Sequence, residues 1–436
     1  MLSIFVMVFS TVLVAGFWGE SLVLMVFMSG LVSMSSSDNL VWKVGLSGEL
    51  DYVGWALSLL SFWVVFLAVL GSQAIKKSSS LSYIFVKLML ALLGLFLISF
   101  YVSDFLFFYL GFESCLIPIF FMILGWGYQP ERAQAGIYML FYTLLGSLPL
   151  FFLIMDMYSK SSGYMYMVSE INEVFLFVFL VGAFLVKFPM YSTHLWLLKA
   201  HVEAPVAGSM ILAGVMLKLG GYGLIRFLPV CQITPLLLVE VLVCVSLWGG
   251  LVLSLSCLRQ MDMKLLIASS SVVHMSLCIV GLLTQTDWGF KGAMVVMIGH
   301  GVCSSGLFYL ANVMYERSHS RSLAVSKGFL ALMPSMCLWW FILLGVNMAA
   351  PPSLNLLGEI MLINTVISWS NYMMVVVMVM SFFSAGYSLY LFSLSQHGVY
   401  LNMKSGFHSG VVLEYLVCAA HWIPLNIVIL SMAWLI

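Results

Sequence analysis

Glu113, Lys187, Lys218, His274, His300 and Glu359 are ionisable residues set within long runs of apolar side chains. Glu113 lies in Leu110-Gly111-Phe112-Glu113-Ser114-Cys115-Leu116-Ile117-Pro118, and Lys218 in Leu217-Lys218-Leu219-Gly220-Gly221-Tyr222-Gly223. Carboxylates, amines and imidazoles ordinarily titrate at about 4.3, 10.4 and 6.5. Apolar burial brings such affinities closer together, so protons can pass between the groups through water. Proton transfer is the chemistry these residue types offer.

The elements that would hold them are membrane helices. Of 436 residues, 63% are hydrophobic and only 8% are charged, against about 25% charged in a soluble domain. A bilayer-crossing helix needs about 20 mostly apolar residues. Such stretches fall near 1–17, 20–37, 52–71, 83–101, 103–125, 135–155, 174–195, 209–228, 235–257, 263–283, 288–311, 328–350, 371–393 and 411–434. The twelfth continues, after a break, through 353–370. The expected fold is therefore an all-α polytopic membrane protein of about 14 transmembrane helices. No long hydrophilic stretch remains for a soluble domain, so residues 1–436 read as one membrane domain. Zero formal net charge argues against nucleic acid as a partner. The start, Met1-Leu2-Ser3-Ile4-Phe5, lacks the positive flank of a signal peptide and reads as the first span.

The distribution of Lys and Arg tests this count, because they concentrate on the side where synthesis occurs. Odd-numbered connections carry Lys76, Lys77, Lys87, Arg132, Lys199, Arg259, Lys264, Arg317, Arg321, Lys327 and Lys404. Even-numbered ones carry only Lys43, Lys160, Arg226 and Lys291. A miscounted helix would reverse the bias partway along. Both termini are expected on the positively poor side.

Lys187 and Lys218 remain outside that tally. A Lys or Asp at a helix centre costs about 2.5–3.5 kcal/mol. Glu113 falls 10 residues into its span, about 15 Å deep at roughly 1.5 Å per residue. The same arithmetic puts Lys187, Lys218, His274 and His300 near mid-depth, with Glu359 in the second half of the twelfth span. A Glu113–Lys187 pair taken alone could simply hold helices together. His274 alone reads as a hydrogen-bonded core histidine. His300, between Gly299 and Gly301, divides evenly between core and relay. Six such residues near one depth favour proton transport.

Transporters often interrupt a helix at the ion site, twice, in corresponding positions of two repeats. Lys187-Phe188-Pro189-Met190 and Asn347-Met348-Ala349-Ala350-Pro351-Pro352 are the candidate interruptions. Their spacing suggests paired five-helix repeats at 83–228 and 235–393. The eight cysteines include no C-x-x-C pair, so no metal or iron–sulfur cluster is expected. Gly220-Gly221-Tyr222-Gly223 reads as a close helix approach. Arg317, His319 and Arg321 read as a loop anchor or subunit contact, and Asp104 as an interfacial cap or dipole partner.

Several stretches carry a family resemblance. They are Gly125-Trp126-Gly127-Tyr128-Gln129-Pro130-Glu131-Arg132, Leu140-Phe141-Tyr142-Thr143-Leu144-Leu145-Gly146-Ser147-Leu148-Pro149-Leu150, and Ala200-His201-Val202-Glu203-Ala204-Pro205. Tyr315-Glu316-Arg317-Ser318-His319-Ser320-Arg321 and Pro352-Ser353-Leu354-Asn355-Leu356-Leu357-Gly358-Glu359 extend it. Over about residues 100–400 the chain resembles the subunit 4 family of NADH dehydrogenase, the antiporter-like membrane subunits of respiratory complex I. The resemblance implies fourteen helices, two inverted five-helix repeats and interrupted helices 7 and 12. It places the family's paired glutamate and lysine on Glu113 and Lys187, and its central lysine on Lys218. Its midplane histidines fall on His274 and His300, and its second-half glutamate on Glu359. Leu198 stands where the family usually has Pro.

The resemblance further implies a location in the mitochondrial inner membrane, with both termini toward the intermembrane space. Expected partners are membrane-arm and peripheral-arm subunits, adjacent antiporter-like subunits, and lipids. NAD, FMN, iron–sulfur clusters and ubiquinone are expected in partner subunits, and no cofactor in this chain. Three other readings stand beside this one. They are a subunit of a multi-chain sodium/proton antiporter, a membrane scaffold without an ion path, and an enzyme binding quinone itself. The chain has no dinucleotide fingerprint to favour the last.

Overall fold

In hydrocarbon no water is available to the backbone, so a chain this apolar satisfies its peptide groups within helices. The computed structural model describes residues 18–34, 42–43, 49–78, 81–160, 174–231, 236–399 and 409–430. Among them, ten helices are long and apolar enough to cross a membrane, and four more are shorter and apolar. Tyr52–Gly71 and Met263–Leu283 coincide with the expected spans. The expected first span, 1–17, lies outside the described residues. An antiparallel pair of two-residue strands, Trp42–Lys43 with Glu49–Leu50, is the unexpected element.

The chain divides into two compact units. One comprises residues 1–188 and 203–236, the other 189–202 and 237–436. Helix burial sorts the chain by environment. Val206–Val230, Met263–Leu283 and Asp287–Ser318 have 89–94% of their apolar windows buried, against 28–33% for Arg132–Ser159, Met373–Gln396 and Val412–Leu430. The first three carry Lys218, His274 and His300, so these costly side chains sit in the protein interior. The others turn side chains such as Phe141, Leu145 and Phe152 outward; their spacing of 4 and 7 makes one lipid-facing stripe.

Among the described residues, four irregularities lie beside the candidate side chains. The expected span 103–125 runs as Phe105–Trp126, with a turn at Cys115 between Phe105–Ser114 and Leu116–Trp126. Pro118, which follows, has no N–H to give to the preceding turn. The expected helix 174–195 stops at Lys187, and a new helix, Leu195–Glu203, begins after Pro189. Leu212–Met216 winds as a π-helix between Val206–Ile211 and Leu217–Phe227.

The last irregularity separates Pro334–Asn347 from Leu354–Trp369. There the first half ends with Ala350 N–H donating to Gly345 O at 2.9 Å and Ala349 N–H to Val346 O at 3.1 Å. Ala349 is left-handed, with φ 57°, which makes this a Schellman-type stop. Ser353 Oγ accepts from Leu356 N–H at 3.4 Å to cap the second half. Asn355 Nδ2 then reaches back to Val346 O at 3.0 Å. Asn355→Leu is therefore expected to remove a buried donor and cost about 1–3 kcal/mol. A thermal unfolding midpoint in detergent equal to that of the unaltered protein would show that this bond does not hold the break.

Candidate functional site

In the first unit, Glu113 ends the short helix Phe105–Ser114 and Lys187 ends Val174–Lys187. Lys187 is 1% exposed, and its Nζ lies 3.9 Å from Glu113 Oε1. That is an ion pair too long to be a hydrogen bond. Its ammonium donates instead to the Phe112 carbonyl and lies 3.1 Å from the centroid of the Phe112 ring. Phe112 belongs to the last turn before Cys115. A backbone carbonyl oxygen has two lone pairs, so this one can serve a buried cation. Tyr109 and Ser147 are the other polar neighbours of the carboxylate.

Lys218 is fully buried and uses the same device. Its Nζ donates to the Ala213 carbonyl, which lies in the π-helical turn just before it. Such single π-turns concentrate at functional sites. The helix bearing Lys218 also packs hard against the end of the helix bearing Lys187. A Cβ added at Gly220 would stand 2.7 Å from Phe188 N and 3.1 Å from Phe184 O. The glycines expected to permit a close approach therefore do so.

In the second unit, His274 links the remaining candidates. Its Nδ1 lies 3.3 Å from Glu359 Oε1, and its ring centroid lies 5.6 Å from that of His300. Gly358, beside Glu359, lets the Leu354–Trp369 helix press against Asp287–Ser318, since a Cβ there would meet Val296 N at 3.0 Å. Val273, His274, Glu359, Ile363, Ser381 and Ser384 line a cavity of about 10 Å³. That is room for about one water molecule. A carboxylate, an imidazole and space for a shared water can exchange a proton over short distances.

Tyr387 is the neighbour of these candidates that sequence reasoning missed. It is fully buried, and its hydroxyl lies 3.3 Å from Nε2 of His274. The available signal was a tyrosine in the middle of the apolar span 371–393. Two smaller expectations are refined. Asp104 occupies the N-cap position of Phe105–Ser114 but makes no side-chain cap bond. Arg317 and Arg321 are loop anchors, to Glu414 Oε2 at 2.7 Å and to Val202 O at 2.7 Å. Glu414 had not been singled out.

Comparison with known proteins follows the same lines. Residues 102–384 match the family model for the NADH:quinone oxidoreductase/Mrp antiporter transmembrane region. Residues 1–100 match that for the NADH-ubiquinone oxidoreductase chain 4 amino terminus. A Ceratitis capitata protein named NADH-ubiquinone oxidoreductase chain 4 is 49% identical over 418 residues, 95% of this chain and 94% of its own. The Aedes aegypti protein of that name is 50% identical over 386 residues, 88% and 86% of the two chains. A chain in a structure of respiratory complex I from Thermus thermophilus with bound NADH aligns with a TM-score of 0.88. It covers 98% of this chain and 94% of that one at 22% identity, a likeness of fold. With half of its residues shared by relatives along nearly its whole length, this chain belongs to the NADH-ubiquinone oxidoreductase chain 4 family.

Proposed function

We propose that this chain is a proton-translocating membrane subunit of respiratory complex I. In this reading it couples electron transfer from NADH to ubiquinone, performed elsewhere in the complex, to proton movement. Glu113, Lys187, Lys218, His274, His300 and Glu359 carry the protons. One observation bears most of the weight: the buried His274 places Nδ1 3.3 Å from Oε1 of the largely covered Glu359, beside a water-sized cavity. An acid and a base at that distance can exchange a proton without moving the backbone. The loose Glu113–Lys187 pair at 3.9 Å supports the same reading, because a lysine held partly by carbonyls can release its carboxylate partner.

The location follows from the animal relatives: a multi-pass protein of the mitochondrial inner membrane. Fourteen spans place the Lys/Arg-rich loops toward the matrix and both termini toward the intermembrane space. Two inverted five-helix repeats, near 83–228 and 235–393, organise the path, with interruptions after Lys187 and before Glu359. NAD, FMN, iron–sulfur clusters and ubiquinone belong to partner subunits, and this chain holds no cofactor of its own. Moving one charge against 100 mV costs about 2.3 kcal/mol. The driving energy has to come from those partners.

The matched family model also spans Mrp antiporters, so a subunit of a sodium/proton antiporter is the second reading. Complex carrying Glu113→Gln or Glu359→Gln, reconstituted in vesicles, separates the possibilities. Each variant is expected to assemble and to lose at least about 100-fold of coupled NADH oxidation and proton transport. Undiminished coupled turnover together with undiminished protons per NADH in both would leave only a scaffold. Sodium uptake by the isolated chain would favour the antiporter.

A further inference from the structure

The break ahead of Glu359 is tied from a second side. The buried Asn355 joins its two halves from within, through Val346 O. The last helix, Val412–Leu430, joins them from outside. Its Trp422 ring meets that of Trp339 edge to face, with centroids 6.3 Å apart, and Trp339 belongs to the first half, Pro334–Asn347. Asn426, one turn beyond Trp422, donates from its amide to Pro352 O at 2.8 Å and accepts from Trp422 Nε1–H at 2.9 Å. The opposite setting of that amide would put oxygen against oxygen and N–H against N–H. We propose that Asn426, aimed by Trp422, is a positioning residue that clasps the interrupted helix and keeps Glu359 within reach of His274. This inference rests on the relay described under Proposed function.

The backbone dictates the need for a donor. Ser353 is the N-cap of Leu354–Trp369, and a helix's own bonds begin at the N-cap carbonyl. Pro352 O stands one residue earlier and receives none of them. Pro351 and Pro352 are exposed, so the break reaches the outer surface of the chain. Its depth can be counted along two helices that start beside basic residues. Pro334–Asn347 follows Lys327 and is 14 residues long, about 21 Å. Asn426 stands 12 residues beyond Glu414, the partner of Arg317, about 18 Å along its helix. Both counts end within a hydrocarbon core about 30 Å thick. Water is not at hand there to replace a lost amide.

The clasp bears on Glu359 because the connection is short and stiff. Glu359 lies seven residues after Pro352, within two turns of the start of its half-helix. Close packing at Gly358 presses that half-helix against Asp287–Ser318. The tie at Pro352 O resists sliding along this contact. A slide of roughly 1 Å can carry the 3.3 Å contact between His274 and Glu359 beyond hydrogen-bonding distance.

The test reads coupled proton transport in vesicles, per assembled complex and across pH. Asn426→Leu removes the donor and leaves every proton-carrying residue in place. It is expected to lower turnover about tenfold, the worth of one buried hydrogen bond. It should also change the shape of the pH profile, since the contact between His274 and Glu359 is altered. Trp422→Phe keeps a ring against Trp339 and removes the N–H that aims the amide. Its expected loss is smaller, about threefold, and nothing further is lost when it is added to Asn426→Leu. Turnover of Asn426→Leu equal to that of the unaltered complex would overturn the proposal. So would a loss equal at every pH, which marks general damage, or losses that multiply in the double variant. Should Asn426→Leu fail to assemble, Trp422→Phe decides alone: an unaltered rate and pH profile there overturn the clasp. The relay is judged separately by Glu359→Gln. A loss in that variant beside unaffected Asn426→Leu would sink only the clasp, and normal pumping by Glu359→Gln would sink the relay itself.

Discussion

Complex I carrying Lys187→Arg is expected to assemble and yet lose at least about 100-fold of its coupled turnover. Arginine keeps the positive charge beside Glu113 and can still donate to the Phe112 carbonyl, so the buried pair persists. What it cannot do is give up a proton, since a guanidinium stays charged at any accessible pH. A pair that merely ties helices together would tolerate this exchange. Lys187→Met supplies the contrasting case, for it strips Glu113 of its counter-charge. Breaking a buried pair in this way costs about 3–5 kcal/mol, and the amount of assembled complex should fall with it. The informative comparison is activity per assembled complex on native gels. Normal proton pumping by Lys187→Arg would remove Lys187 from the path.

Gly220→Val is expected to act through shape alone. The first added carbon stands 2.7 Å from Phe188 N, 2.8 Å from Phe188 Cβ and 3.1 Å from Phe184 O. Two of these three are backbone atoms, which cannot swing aside as a side-chain tip can. Overpacking typically costs about 1–3 kcal/mol, and the two backbone atoms, hydrogen-bonded to each other at one helix end, put this site at the upper end. Assembled complex should therefore fall several-fold, with the remainder losing activity at lower temperature. Gly220→Ala tests the same contact with less bulk. If both variants assemble and withstand heat like the unaltered protein, the two helices do not need their close approach.

Much of the site was legible because cost and depth can be counted along a chain. Glu113, Lys187 and Glu359 stood out as charges where hydrocarbon permits few, and contacts join Glu113 to Lys187 and His274 to Glu359. The helix Tyr52–Gly71 was legible for a simpler reason: polar residues bound a run of about the right length. The turn at Cys115 was not, because Pro118 inside an apolar run is equally compatible with a kink. The Phe112 and Ala213 carbonyls have no letter in a sequence, so the groups that hold both lysines stayed invisible. Tyr387 was passed over because tyrosine is common in membrane helices. Its interest lies in the ring nitrogen opposite it, a contact that only packing reveals. Glu414 was hidden in the same way, its partner Arg317 being 97 residues distant.

A helix whose bonds run five residues back accommodates one residue more than an ordinary helix of equal rise. The π-turn at Leu212–Met216 can thus be read as the trace of a single-residue insertion that its neighbours absorbed. A related chain lacking it would align with a gap inside 212–216. At about 100° per residue, such a chain would need a compensating twist to aim a lysine at the same carbonyl.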